Sequence, residues 1–149
     1  LQEKSMLSGV YLANSLQQGF IYHYLQQGDI DDAYICQLLW SYNTAIDINK
    51  LRRAWEYAQA KYPSLRLRFA WQEELVQIVE LTGDLDWRYI DLSNELDVAK
   101  QALTIQELQT TDRATPYKLE DGRLFRVYLI KQHVGLYTCI FSNHHAILD

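Results

Sequence analysis

The chain has little of what would place it outside ordinary globular proteins. It holds only two cysteines, Cys36 and Cys139, each inside an apolar strand-like run. That excludes a disulfide framework and reads as two buried free thiols. Its only prolines are Pro63 and Pro116, and no repeat, Gly-rich or low-complexity stretch marks a linker, so the 149 residues read as one continuous unit. No apolar run approaches the roughly 18 residues of a membrane span. No basic-then-apolar leader opens the chain either, so a cytosolic protein is expected. Positive charge is scarce: 14 Lys and Arg stand against 19 Asp and Glu. The close basic pairs, Arg52 with Arg53 and Arg66 with Arg68, never build into a stripe, which argues against nucleic acid as a partner. What the chain does have is apolar mass, 48% hydrophobic and 13% aromatic, enough to bury one real core. It starts at Leu1 rather than a methionine and stops at Asp149 with no polar run before it, so both ends are expected to be cuts in a longer chain.

Periodicity gives the elements. Asn14 or Ser15 can cap a first helix over 15–26, with Gln17 three residues after Asn14 and Leu16, Phe20 and Tyr24 on one ridge. From Tyr34 to Tyr42 the even positions are all apolar, the mark of a strand. Asp47 caps a second helix whose Leu51, Trp55, Ala58 and Tyr62 recur at helical spacing until Pro63. The stretch LRLRF, residues 65–69, alternates as a strand with Arg66 and Arg68 on one side. Residues 75–81 and 87–92 read as further short strands, and Ser93 can cap a third helix over 94–110. Two final strands, LFRVYLI and LYTCIFS, are joined by a turn around Gln132 to Gly135. The second is apolar on both faces, Leu136 and Ile140 opposite Tyr137, Cys139 and Phe141, so it should be central. The four tryptophans, Trp40, Trp55, Trp71 and Trp87, fall on apolar faces and read as core. Strands alternating with helices and ending in a hairpin indicate helices packed on a mixed sheet, an α/β sandwich.

The chemistry-bearing stretch is FSNHHAILD, Phe141 to Asp149, where that central strand ends. Imidazole exchanges protons near neutral pH, so a histidine leaving a buried strand can take a proton from a nucleophile or orient it. In extended geometry His144 and His145 point to opposite faces, so one is a candidate catalyst and the other a structural hydrogen-bonding group. Asp149 can accept from an imidazole or pair with an arginine to lock the loop. His133 and Cys139 are the nearest other ligand types, and no metal-ligand spacing joins them, so no metal site is expected.

Three stretches carry a family resemblance. HHAILD resembles the first six residues of the His-His-x-x-x-Asp-Gly signature of the chloramphenicol-acetyltransferase-like superfamily. NSLQQGFIYHYL, Asn14 to Leu25, and KYPSLRLRF, Lys61 to Phe69, are similar to the first and second motifs of one branch, the condensation domains of nonribosomal peptide synthetases. The three occur in the family's order and span nearly the whole chain. Asn14 stands where the first motif usually has serine, Tyr62 and Pro63 replace the second motif's His-Glu, and the signature's final glycine falls beyond Asp149.

The resemblance implies a chloramphenicol-acetyltransferase-like mixed sheet covered by helices, with residues 1–149 as the N-terminal lobe of a two-lobed domain cut inside its motif. It implies formation of an amide bond between an upstream acyl or peptidyl thioester and a downstream aminoacyl thioester. Both substrates ride on the 4′-phosphopantetheine of donor and acceptor carrier proteins, and the domain itself binds no cofactor or metal. By the same resemblance His145 is the catalytic histidine, His144 a packing group, and Asp149 a structural acid pairing with Arg66 or, second, Arg68. Gln17, Gln18 and His23 line the substrate channel or serve packing and surface roles. The C-terminal lobe and the carrier proteins are the implied partners, and this lobe alone is expected to be inactive. Three alternatives stay open: an epimerization domain, a stand-alone acyl-CoA-dependent acyltransferase, and a non-catalytic lobe that docks carriers.

Overall fold

The computed structural model describes residues 7–27 and 34–148. Within them the order is β1 (Leu7–Leu12), α1 (Ser15–Gln27), β2 (Ile35–Tyr42), α2 (Ile48–Lys61), β3 (Leu67–Ala70), β4 (Val76–Glu80), β5 (Trp87–Asp91), α3 (Val98–Arg113), β6 (Phe125–His133) and β7 (Leu136–His144). The larger sheet runs β2-β7-β6-β5, antiparallel except for the parallel β5–β6 pair. The smaller is antiparallel, β1-β4-β3.

β7 is central, as its two apolar faces require. Its neighbours Ile140 and Phe141 point to opposite sides of the sheet. Ile140 packs with Tyr128, Ile130 and Ile105 of α3. Phe141 stacks on Trp55 of α2, ring centroids 5.3 Å apart, and shares a core with Phe69, Val79 and Ile21. The sheet is therefore covered on both faces, and the small sheet closes the α2 side. Trp40, Trp55, Trp71 and Trp87 are all partly buried against that larger cluster.

Local chemistry sets the helix ends. Asn14 Oδ1 accepts the Gln17 amide at 2.8 Å while Gln17 Oε1 accepts the Asn14 amide at 2.9 Å, a reciprocal capping box that starts α1. Asp47 caps α2 by accepting from the Lys50 amide. The third helix differs from the sequence expectation. It starts at Val98, capped by Asp97, and runs to Arg113. Ser93 instead donates its amide and hydroxyl to Asp91 Oδ1, a local turn that competes with helix formation. Nor is LRLRF one strand: Leu65 and Arg66 belong to a 3-10 turn, Pro63–Arg66, whose first position Pro63 favours. β1 was not legible, because its residues are mostly exposed and its pairing with β4 shifts register between Leu7 and Gly9. Among the described residues no helix is long and apolar enough to cross a membrane.

A buried acid joins the layers. Asp112, 1% exposed near the end of α3, accepts from Arg126 Nη1 of β6, from Tyr128 Oη of β6 and from Gln37 Nε2 of β2, each at 2.8 Å. Burial alone would disfavour its charge, but hydrogen bonds from Ser142, Gln37, Arg126 and Tyr128 outweigh that and hold its carboxyl below the ordinary range. Replacing Arg126 by Met strands this carboxylate without its cation. Urea denaturation at pH 7 should show a loss of about 3–5 kcal/mol, and a loss below about 1 kcal/mol would mean that the pair does not hold the layers together.

Candidate active site at the exit of the central strand

β7 ends at His144, and the chain turns through His145, Ala146 and Ile147. Main-chain bonds fix this turn: His144 N–H donates to Leu124 O at 3.0 Å, His145 N–H to Tyr34 O at 2.8 Å, and Ile147 N–H to His144 O at 3.3 Å. The two imidazoles consequently meet different surroundings. His145 is half-buried and lines a cleft of about 270 Å³ between Asn14, Gln17 and Phe20 of the α1 region and Ile147 and Leu148 of the turn. Its ring stacks on Phe20 with centroids 6.0 Å apart, and its Nε2 sits 2.8 Å from Cys36 Sγ on β2. Nδ1 of His145 has no hydrogen-bond partner among the described residues. Larger concavities open beside Arg52 and Leu85 and beside Glu73 and Val76, about 380 and 480 Å³, but neither is lined by a histidine or cysteine.

His144 is sealed, only 6% exposed. Its Nδ1 accepts the Ala146 amide at 2.9 Å, so the neutral ring carries its proton on Nε2. Burial, and secondarily the neighbouring His145, push its pKa down to about 4. Tyr117 meets it edge-on at 6.5 Å. The Tyr117 hydroxyl bonds Ser142 Oγ at 2.7 Å, and the Arg126 guanidinium lies 3.9 Å over the Tyr117 ring, so the Asp112 network supports the sealed histidine. A ring held neutral, buried and engaged as an acceptor can fix the turn but cannot exchange protons with a substrate near pH 7.

The structure gathers some of the expected residues and not others. Gln17 is at the cleft: 6% exposed, it donates Nε2 to Ala146 O at 3.3 Å and to Gln77 Oε1 at 3.1 Å. Gln18 is not; it is exposed and donates to Ala13 O. His23 lies edge-on to Tyr34, centroids 5.0 Å apart, one residue removed from the turn. Arg66 donates to the carbonyls of Gln59, Glu80 and Leu81, and Arg68 pairs with the Glu80 carboxylate. The two arginines are therefore not a matched pair on one strand face, because Arg66 sits in the 3-10 turn. Asp149 lies outside the described residues. Cys139 is buried as expected, whereas Cys36 is half-buried and touches His145, a correction to its reading as core. Period-two alternation said only that Cys36 lay on an apolar face; it could not say that the strand's partner ends in a histidine. Among the described residues no three His, Cys, Asp or Glu side chains cluster as metal ligands.

A mixed sheet covered on both faces, whose central strand delivers an imidazole to a cleft, defines an α/β sandwich with a candidate site at the exit of that strand. The condensation domain family model matches residues 7–149, and the chain belongs to that family. It is 44% identical over all its 149 residues to the N-(5-amino-5-carboxypentanoyl)-L-cysteinyl-D-valine synthase of Penicillium rubens. It is 51% identical over 139 residues, 93% of the chain, to the synthase of the same name from Amycolatopsis lactamdurans. The chain spans 4% of the length of each. Among solved structures, the starter condensation domain of rhizomide synthetase RzmA superposes with a TM-score of 0.85 at 22% identity, covering 95% of this chain and 35% of that one.

The sealed histidine makes stability depend on pH. A free imidazole protonates near 6.5, whereas folded His144 resists until about 4, so between these values the unfolded chain binds more protons and stability rises with pH. The contribution is complete above about pH 6.5 and is lost progressively down to about pH 4, roughly 3 kcal/mol in all. His144→Gln should flatten this part of a denaturation-versus-pH curve relative to the parent. Parallel curves for the two proteins between pH 7 and 4.5 would contradict it.

Proposed function

We propose that this chain is the N-terminal part of a condensation domain that joins an upstream acyl or peptidyl thioester to the amine of a downstream aminoacyl thioester. The observation that carries the reading is His145: half-buried at a cleft, with its backbone tied to Tyr34 and one ring nitrogen unpartnered among the described residues. In the reaction the amine nitrogen attacks the thioester carbonyl, the C–N bond forms, the C–S bond breaks, and the amine's proton leaves for the departing thiolate. Aminolysis of a thioester is favourable, so His145 acts chiefly by orienting the amine and taking its proton as the bond forms. His144, neutral and buried, holds the turn.

The substrates arrive on phosphopantetheine arms of donor and acceptor carrier proteins, and the lobe binds no cofactor or metal of its own. A second, C-terminal lobe completes the cleft, consistent with the solved domain being nearly three times as long. The product in the name of both curated relatives is an acyl-cysteinyl-valine chain, a molecule built by such couplings. Synthesis is assigned to the cytosol, where the two free cysteines stay reduced.

His145→Ala in a protein carrying the complete domain, assayed by mass spectrometry of the coupled product with both carriers loaded, should lower the coupling rate by about 10²- to 10⁴-fold while carrier loading is unchanged. Coupling at the parent rate would overturn the assignment. Lost coupling with unchanged stereochemistry would dismiss the epimerization reading.

A further inference from the structure

Two glutamines from distant segments meet beside the cleft, and the proposed reaction gives Gln77 no role. Gln77 lies on β4 opposite Phe69 of β3, on the face whose Phe69 and Val79 share a core with Ile21 of α1, so its side chain turns toward α1. There its Oε1 accepts from Gln17 Nε2 at 3.1 Å, while its own Nε2 donates to Leu12 O at 3.2 Å. Gln17 Nε2 uses its second hydrogen on Ala146 O at 3.3 Å, and Gln17 Oε1 accepts the Asn14 amide at 2.9 Å. Main-chain groups fix the direction of every bond. Leu12 O and Ala146 O can only accept and the Asn14 N–H can only donate, so each carboxamide has one orientation, and residue 77 must present an acceptor to residue 17.

We infer that Gln77 is a positioning residue for His145, acting through Gln17: as an acceptor it holds the Gln17 carboxamide in the orientation that grips Ala146 O. Ala146 directly follows His145, and its two sides are held separately, the N–H on His144 Nδ1 at 2.9 Å and the carbonyl by Gln17. On the other side, His145 N–H is tied to Tyr34 O. With the Gln17 bond made, the main chain is fixed before and after the imidazole; without it the following peptide can turn and carry the ring off its place beside Phe20. Gln17 is 6% exposed, so water does not readily replace a bond lost there, whereas the exposed bond from Gln77 to Leu12 O can pass to water. The consequence for coupling rests on the proposed reaction; the clasp does not.

The test makes the same swap at both ends of the pair, in a protein carrying the complete domain. Gln77→Glu keeps an acceptor for Gln17, and Gln77→Leu removes it. Gln17→Glu keeps the acceptor that caps α1 but loses the donor to Ala146 O. Hydrogen exchange of peptides covering 143–148 is read by mass spectrometry, and kcat and KM are measured for coupling with loaded carriers. Gln77→Leu and Gln17→Glu should each speed exchange in the turn and lower kcat by about 10-fold with KM unchanged, while Gln77→Glu stays within about 2-fold of the parent. A purely structural role would not set Gln77→Glu apart from Gln77→Leu. Exchange at the parent's rate in Gln77→Leu, an undiminished kcat there in a parent that couples, or a Gln77→Glu protein as impaired as Gln77→Leu overturns the inference. Because residue 77 is only half-buried, that pair of variants decides the matter even if Gln17→Glu does not fold. A parent that couples nothing, yet shows this exchange pattern across the variants, sinks the proposed reaction and leaves the positioning role standing.

Discussion

The site depends on the alternation of side chains along one doubly buried strand. Adjacent residues of β7 face opposite sides of the sheet, and the turn that follows it is tied to Tyr34, so His144 at the strand's end and His145 just past it are sent into unlike surroundings. One is sealed under Tyr117 and loses its affinity for protons; the other comes to rest between Phe20 and Cys36 at the edge of a cleft. A slip of one residue in the pairing of β7 with β2 and β6 would exchange their places, and the core on either face forbids it.

That register is enforced by polar groups as well as by the core. Asp112 gathers donors from β2 and β6, and Ser142 and Tyr117 extend the network to His144. Every one of these groups is costly to bury alone, and each is acceptable only because the others are in place. A charged cluster of this kind contributes less to net stability than a well-packed apolar core would. What it adds is a fixed tie: Asp112 fastens α3 to β2 and β6 beside the strand that leads into the histidine turn. The cleft is assembled differently, from the capping box of α1. Gln17 both starts the helix and reaches Ala146 O, so the element that forms the cleft wall also grips the turn.

Much of this was legible from residue patterns. Alternation in Tyr34–Tyr42 and in LYTCIFS marked β2 and β7, Asp47 and Pro63 bounded α2, and the reciprocal pair Asn14 and Gln17 announced α1. The misreadings share a cause, the competition between local bonds that look alike in sequence. Ser93 and Asp97 are both good caps, and Ser93 lost because Asp91 engages its hydroxyl first. LRLRF alternates, yet Pro63 drew its first residues into a 3-10 turn. β1 carries no period because most of it faces outward at a sheet edge.

By itself the sequence determined which residues could do chemistry and in which order the elements occur, since both follow from side-chain type and from short-range spacing. It also indicated that His144 and His145 would meet different surroundings, because neighbouring residues leaving an extended strand point to opposite faces. Which of the two is sealed, that Cys36 rather than a carboxylate stands behind His145, and that Arg66 and Arg68 are engaged by β4 were decided only by tertiary structure. These facts rest on contacts between segments tens of residues apart, such as Cys36 with His145 and Gln37 with Asp112. No local propensity encodes such pairings; the register of β2 on β7 and the seating of α3 do.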